Sequence, residues 1–219
     1  MTRLAKQHPD HYQSKSIATG WCALSKQSTD LIGTHLKQSL AAFERAVQDA
    51  LMLQAAHKIA HVILTALNGG HKLLLVGNGG SAADAQHIAA EIVGRYKRER
   101  PAYPAIALTT DTSALTAISN DYGFEQVFAR QIAGLGRKGD VLLALSTSGR
   151  SANILTALRV AHEHGLITIG FTGAKGAARG VACNHLLVAP SDDTPIIQQI
   201  HLAVAHGICD EIEQALTRK

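Results

Sequence analysis

The sequence predicts an α/β fold, a doubly wound parallel five-stranded sheet flanked by helices and preceded by N-terminal helices. Apolar runs alternate with helical patterns along most of the chain, which is typical of such sheets. Residues 141–145 and 166–171 are apolar almost without interruption, so we expect strands that are covered on both faces. The chain is 46% hydrophobic but only 4% aromatic, which indicates an aliphatic core.

Two helices are predicted before any strand. Apolar residues recur at three- and four-residue spacing from Thr29 to about residue 47 and again over 47–67. Asn68-Gly69-Gly70 then forms a good C-cap sequence. Strands are predicted near 72–76, 104–108, 140–145, 166–171 and 184–188, and the later helices near 80–96, 111–119, 124–134, 150–164 and 194–216. Residues 1–27 are polar, and we expect an irregular leader ahead of one domain of residues 28–219.

Composition argues against several functional classes. Lys and Arg number 21 against 17 acidic residues, a net charge of +4, which is too small to make nucleic-acid binding the expectation. Cys22, Cys183 and Cys209 are far apart, which favours a reducing compartment. No uninterrupted apolar run reaches the ~18 residues of a membrane span, and no signal peptide is evident. We therefore expect a cytoplasmic protein with no nucleic-acid or membrane partner. The basic cluster 95–100 either ends a solvated helix or contacts an anion or a subunit.

A glycine-rich loop follows the first predicted strand. Asn78, Gly79 and Gly80 lie where an apolar run turns into a helix, and the free backbone N–H groups of a helix N-terminus bind anions or sugar hydroxyls. The loop also fits the dinucleotide fingerprint G-x-G-x-x-A, but helices precede the strand and no acidic residue ends the next strand at the required spacing. A purely structural turn is the other alternative.

A second polar loop follows the third predicted strand. Ser146, Thr147, Ser148 and Ser151 supply four hydroxyl groups just before a helix. Hydroxyls, backbone N–H groups and the helix dipole together form a suitable phosphate site. N-capping is the simpler alternative, but one cap needs only one such residue.

Two pairs of chemically capable side chains lie on predicted helices. His87 and Glu91 are four residues apart, and Gln198 and His201 are three apart, so each pair shares one helix face. Two such pairs can converge on one metal ion or one substrate, and histidine and glutamate suit Zn²⁺. His206 follows His201 by five residues, about 140° around the helix, and is expected to face elsewhere in a structural role.

A further polar pair, Asn120 and Asp121, stands shortly before a glycine. Such a pair is common as a turn, and it can equally bind a polyol. The sequence leaves both interpretations open.

Taken together, these motifs resemble those of the sugar isomerase (SIS) domain family, and within it the bacterial phosphoheptose isomerases. The similarity runs from about residue 30 to the end, with the motifs in the family's order and spacing. The matching residues are 77–87, Glu91, 94–96, 100–101, 104–108, 120–124, 139–142, 146–149, 151–153, 171–173, Gln198 and His201.

The resemblance implies an aldose–ketose isomerase that converts sedoheptulose 7-phosphate to D-glycero-D-manno-heptose 7-phosphate for lipopolysaccharide or surface-glycan synthesis. It also implies a homotetramer with active sites at subunit interfaces and one zinc ion per subunit. By position, Glu91 and His201 would transfer protons. The zinc ligands would be His87, Glu91, Gln198 and His201. Substrate would contact Asn78, Gly79, Gly80, Glu91, Asn120, Asp121, Ser146, Thr147, Ser148, Ser151 and Gln198.

The sequence departs from the family pattern in several places, including two positions near the C-terminus. Ile196 replaces a basic residue and Gln199 replaces a glutamate, and both flank the C-terminal pair. An alternative function is a non-catalytic SIS protein that binds a replication initiator or senses a phosphosugar. The initiator-binding relatives lack a carboxylate equivalent to Glu91, so its presence favours the enzyme.

Overall fold

A computed structural model describes residues 30–217; the predicted leader of residues 1–27 lies outside this range. Its helices are α1 (Leu31–Gln48), α2 (Ala50–Asn68), α3 (Gly80–Val93), α4 (Thr112–Tyr122), α5 (Val127–Leu135), α6 (Ala152–Glu163), α7 (Ala174–Ala177) and α8 (Thr194–Thr217), with a short 3₁₀ turn at Phe124–Gln126. Its strands are β1 (Leu73–Gly77), β2 (Ala105–Ala107), β3 (Val141–Leu145), β4 (Ile167–Gly173) and β5 (His185–Ala189).

The five strands form one parallel sheet in the order β2-β1-β3-β4-β5. The strand order reverses beside β1, so the carboxyl ends of β1 and β3 flank a topological switch point, where ligands bind in open α/β sheets. Every residue of β1 and β3 is buried. The predicted fold class is confirmed, including the two helices that precede the sheet.

Helices cover both faces of the sheet. Alternate residues of β1 enter two separate apolar clusters, as the two-residue period of a strand requires: Leu73 and Leu75 join one cluster, Leu74 and Val76 the other. The first cluster is completed by α1, α2, α3 and α8, and the second mainly by α5 and α6. The core is aliphatic, as the composition predicts.

Helix α2 is long and apolar enough, by length and composition alone, to cross a membrane. His57, Lys58 and His61 interrupt its apolar residues, however, and it packs against α8 and β5. Its buried residues are Met52, Ile59, Ala60, Ile63, Ala66 and Leu67. The structure therefore uses α2 as a helix of the core.

Helix α3 ends three residues earlier than the sequence pattern indicates. Its last residue is Val93, and Gly94 caps it by donating its N–H to the carbonyl of Ala90. The basic cluster 95–100 is consequently a loop and not the last turn of a helix. The backbone N–H groups of this loop are therefore not used in helical hydrogen bonds and can bond to other parts of the chain.

Candidate active site

A polar cavity of about 320 Å³ opens at the switch point, at the carboxyl ends of β1 and β3. The glycine-rich loop, the hydroxyl loop and the start of α8 surround it. The lining residues are Asn78, Gly79, Gly80, Ser81, Leu145, Ser146, Thr147, Ser148, Ser151, Thr194 and Gln198. Eight residues that sequence reasoning assigned to substrate therefore meet in one cavity: Asn78, Gly79, Gly80, Ser146, Thr147, Ser148, Ser151 and Gln198.

The glycines of the first loop are required by its geometry. A Cβ on Gly77 would collide with the backbone carbonyl of Ser81, so only glycine allows the strand to pass so close to the first turn of α3. Gly79 has a φ of +55°, which L side chains rarely adopt. Both glycines hold the start of α3 against the end of β1.

Asn78 is fixed by a residue that sequence reasoning did not assign to the site. The side-chain amides of Asn78 and Asn153 exchange two hydrogen bonds, each 2.9 Å long. Asn153 is buried in the first turn of α6, so the pair joins the loop after β1 to the helix that follows β3. The sequence does carry a signal for this role of Asn153: it is a polar residue on the buried face of a predicted helix, two residues after Ser151.

The hydroxyl loop leaves its side chains available to a ligand. Ser151 occupies the N-cap position of α6, but its side chain makes no capping hydrogen bond. The hydroxyl oxygen of Ser146 is buried and has no hydrogen-bond partner among residues 30–217. N-capping therefore does not account for these hydroxyls, and the N-terminal end of α6 adds a favourable dipole for an anion.

A cluster of two imidazoles and a carboxylate lies farther along α3 and α8. His87 Nε2 is 3.2 Å from Glu91 Oε1 and 2.9 Å from His206 Nε2. The three ligand atoms all lie within 4.8 Å of one another. The side chain of His87 is 47% exposed and that of Glu91 is 20% exposed, so solvent and small molecules reach the cluster.

The sequence-based grouping of Glu91 with His201 is not what the structure shows. His201 is fully buried, and its Nε2 lies 3.1 Å from the carbonyl oxygen of Thr172. Burial lowers the pKa of His201 to about 4, against a smaller opposing effect of that hydrogen bond. His201 thus faces the sheet as a neutral imidazole, and the imidazole beside Glu91 is that of His206.

The reason is the way α3 and α8 pack. The two helices run in the same direction: Gly80 lies against Gln198, and His87 lies against His206. Seven residues on α3 and eight on α8 are both about two helical turns, so the partner of His87 stands eight residues beyond Gln198. His201 and His206 point in different directions, as expected. His206, however, does not have the purely structural position predicted for it, because its imidazole belongs to the cluster with His87 and Glu91.

The remaining predicted site residues lie apart from the cavity lining. Asn120 donates to the carboxylate of Asp121 over 2.8 Å, and both side chains are exposed near the end of α4. Of the two departures from the family pattern near the C-terminus, Ile196 is 4% exposed and belongs to the core, while Gln199 contacts His35 of α1 over 3.2 Å.

Comparison with known proteins agrees with this geometry. A family model described as SIS domain matches residues 35–173, more than half of the chain. A phosphoheptose isomerase from Bradyrhizobium sp. strain BTAi1 is 70% identical over 193 residues, which cover 88% of this chain and 98% of that protein.

Solved structures give the same result. A phosphoheptose isomerase from Neisseria gonorrhoeae is 42% identical with a TM-score of 0.77, over 84% of this chain and 97% of that one. Another from Francisella tularensis is 38% identical with a TM-score of 0.79, over 84% and 96%.

The fold and the switch-point cavity thus define an SIS-type sugar-phosphate isomerase architecture. More narrowly, the chain belongs to the SIS domain family and, within it, to the phosphoheptose isomerases.

Proposed function

We propose that this enzyme interconverts sedoheptulose 7-phosphate and D-glycero-D-manno-heptose 7-phosphate for heptose-containing surface glycans such as lipopolysaccharide. The observation that carries the proposal is the placement of two sites on one pair of helices. The hydroxyl-lined cavity lies at the start of α3 and α8, and the cluster of His87, Glu91 and His206 lies two turns farther on. Seven residues of helix span about 10 Å, which is comparable with the length of an extended seven-carbon sugar phosphate.

The hydroxyl loop would hold the phosphate. Ser146, Thr147, Ser148 and Ser151 donate O–H groups to phosphate oxygens, and the α6 dipole adds partial positive charge. Asn78 and Gln198 meet the sugar hydroxyls, since an amide both donates and accepts. Binding the phosphate at one end places the carbonyl end of the sugar over α3 and α8.

The cluster would transfer the protons. From the ketose, Glu91 removes a proton from C1 and the electron pair forms the C1–C2 double bond of an enediol, while O2 gains a proton from His206. Return of a proton to C2, with loss of the O1 proton, forms the aldose carbonyl at C1. The net change is a hydrogen shift that needs no oxidant, and a carboxylate and an imidazole are suited to both transfers.

The same residues suit a metal ion. Two imidazoles and one carboxylate are a recurring ligand set of catalytic zinc sites, which keep a further position open for substrate or water. His87, Glu91 and His206 would hold the ion, with Gln198 nearer the cavity. A coordinated carboxylate is a weaker base and a coordinated nitrogen carries no proton, so Glu91 and His206 would transfer protons only through atoms that the ion does not occupy. Bound Zn²⁺ would polarise the substrate carbonyl and stabilise negative charge on its oxygen.

Assembly into a homotetramer, with active sites near subunit contacts, is supported by an apolar stripe on the N-terminal helices. This stripe, formed by Ile32, Leu36, Leu40, Val47 and Leu51, has side chains between 61% and 78% exposed. An apolar groove of about 310 Å³ between α1, α2 and α8 also includes Val47. Exposed apolar surface of this extent is typical of protein–protein contacts.

A cytoplasmic location is consistent with the cysteines. Cys183 and Cys209 are both free thiols, as expected in a reducing compartment. The partner that we propose is the small phosphosugar, with neither nucleic acid nor membrane.

The test compares three variants in a coupled assay of sedoheptulose 7-phosphate isomerisation. Glu91→Gln and His206→Asn are expected to lower kcat by about 10²-fold or more, the usual scale for acid–base groups. His201→Asn should alter stability more than kcat, because His201 faces the sheet. Full turnover by His206→Asn together with a large kcat loss in folded His201→Asn would reverse the assignment.

The metal is tested separately, by elemental analysis of the purified enzyme and of the His87→Ala variant. We expect zinc in the wild type and a stoichiometric loss in the variant. Wild-type protein that retains full turnover after chelation, with no metal detected, would exclude the zinc site.

A further inference from the structure

The basic loop 95–100 is held by one buried carboxylate on α8. Glu213 is 1% exposed and accepts three backbone N–H bonds, from Tyr96 over 2.8 Å and from Lys97 and Arg98 over 2.7 Å each. The guanidinium of Arg100 lies 3.3 Å from the same carboxylate, and its side chain is 2% exposed. Charge-assisted hydrogen bonds of this kind are stronger than neutral ones.

This loop contacts the proposed catalytic cluster at two points. The ring of Tyr96 stacks on the imidazole of His206, with centroids 5.4 Å apart and planes inclined by 20°. Arg100 donates from Nη2 to the backbone carbonyl oxygen of Glu91 over 2.7 Å. The loop therefore packs against one proposed proton carrier and bonds to the backbone of the other.

We propose that Glu213 is a positioning residue that fixes Tyr96 and Arg100, and through them orients His206 and Glu91 for proton transfer. The proposal rests on the proposed function. Glu213 touches no reacting atom in this scheme. It acts through the loop, which also pairs with Asp210 of α8 through the side chains of Lys97 and Arg98.

A carboxylate is the side chain that this position requires. Three N–H donors need three acceptor positions, and ionised glutamate supplies about four lone-pair sites whereas the glutamine carbonyl supplies two. The Arg100 guanidinium pairs with the same carboxylate by charge. Burial alone would raise the pKa of Glu213, but the N–H bonds from Lys97, Tyr96 and Arg98 and the charge of Arg100 lower it overall. Glu213 is thus ionised where it is needed as an acceptor.

Asp210 provides a matched control on the same helix. It pairs with the side chains of Lys97 and Arg98 from a more exposed position, but it accepts no backbone N–H bond from the loop among residues 30–217. Asp210→Asn therefore makes the same change in charge against the same loop, without releasing the backbone or the ring of Tyr96.

The experiment measures kcat and KM for sedoheptulose 7-phosphate in Glu213→Gln and Asp210→Asn. We expect Glu213→Gln to lower kcat by roughly 10- to 100-fold, the range for residues that orient active-site ligands. KM should change less than about threefold in the same variant, since the phosphate cavity is two turns away. Asp210→Asn should retain wild-type values. An unchanged kcat in folded Glu213→Gln would overturn the proposal.

A double-mutant cycle separates positioning from general stability. If Glu213 acts through His206, adding Glu213→Gln to His206→Asn should cost far less than it does in the wild type. Equal fold-losses in the wild-type, His206→Asn and Glu91→Gln backgrounds would show a purely structural role. No turnover of sedoheptulose 7-phosphate by the wild type would refute the proposed function, and full activity of His206→Asn would refute the catalytic role of His206. A damaged His206→Asn with an active Glu213→Gln would refute only this inference.

Glu213→Gln leaves the Arg100 charge buried without its partner and can therefore prevent folding. A second variant tests the proposal in that case. Tyr96→Ala removes a half-buried ring and leaves the backbone N–H bonds to Glu213 in place. It should lower kcat with little change in KM, again mainly in the presence of His206. Wild-type kcat in Tyr96→Ala would contradict the proposed route from Glu213 to His206.

Discussion

Replacing Gly80 by alanine should weaken substrate binding in the cavity without destabilising the fold. A Cβ at this position would lie 2.6 Å from Nε2 and 2.9 Å from Oε1 of Gln198. These atoms are the end of a flexible side chain, so Gly80→Ala should displace the Gln198 amide and leave the backbone in place. Gln198 lines the cavity and donates to Ser81 Oγ over 3.4 Å, and both contacts would be lost.

The size of the effect follows from the contact removed. One neutral hydrogen bond to substrate is worth about 0.5–1.5 kcal/mol, which corresponds to a loss of roughly two- to tenfold in kcat/KM. The melting temperature should stay level or rise slightly, because alanine at a backbone conformation that it can adopt stabilises a fold by about 0.4–1 kcal/mol relative to glycine, and Gly80 has no positive φ. Steady-state kinetics and thermal unfolding on the same preparation measure both quantities.

Two other glycines serve as controls. A Cβ at Gly134 in α5 would meet no atom within 4 Å beyond its own neighbours in the helix, among residues 30–217, so Gly134→Ala should leave kcat/KM unchanged. Gly77→Ala meets the Ser81 backbone and should cost about 1–3 kcal/mol of stability, as overpacking does. If the melting temperature of Gly80→Ala fell as that of Gly77→Ala does, while its kcat/KM stayed at the wild-type value, the placement of Gln198 at the substrate would be refuted.

Three further predictions concern the phosphate, the sheet and the subunit contact. Ser148→Ala should raise KM for sedoheptulose 7-phosphate by roughly tenfold or more, since a hydrogen bond to a charged group is worth about 1.5–3 kcal/mol; an equal effect on KM for unphosphorylated sedoheptulose would contradict the assignment. Burial favours protonation of Asp140, but hydrogen bonds led by that of Lys72 lower its pKa below 3.8 overall. The carboxylate therefore stabilises the fold above that value, and the stabilisation is lost as pH falls through the lowered pKa. Asp140→Asn should thus reduce the free energy of unfolding at pH 7. Measured by urea unfolding, the difference between variant and wild type should shrink as the pH falls, and an undiminished difference in acid would refute this. Leu40→Glu should produce smaller species in analytical ultracentrifugation. Gln38→Glu should not, because Gln38 is exposed on α1 but lies outside the apolar stripe. Unchanged assembly in both variants would show that Leu40 is not part of the subunit contact.

The elements of this fold are readable from sequence because their signals are local. Apolar runs such as residues 141–145 specify buried strands, and Gly77, Asn78 and Gly79 specify a tight turn into a helix. In a parallel sheet, the loops after β1 and β3 necessarily meet at one edge. The cavity could therefore be predicted from the order of the motifs alone.

The composition of the catalytic cluster could not be predicted in the same way. Whether His201 or His206 faces His87 depends on the axial offset between α3 and α8, which is set by packing against the sheet. Spacing within α8 states only that the two histidines point apart. Knowledge that Gln198 lies opposite Gly80 would have sufficed, because both His87 and His206 then stand two turns farther along.

The role of Glu213 was hidden for a related reason. Periodicity places it on the buried face of the last helix, where an acidic residue conflicts with the apolar pattern. Its partners are backbone N–H groups more than 110 residues earlier in the chain, and backbone donors leave no trace in the identity of side chains.

The paired amides of Asn78 and Asn153 have a consequence for the cost of recognition. A surface asparagine must give up rotational freedom when it grips a ligand, at about 0.5–1.5 kcal/mol for each side chain immobilised. Here folding has already removed that freedom, since each amide locks the other. The Asn78 side chain is already ordered when a sugar binds, so less of the free energy of each contact is offset by the loss of side-chain entropy.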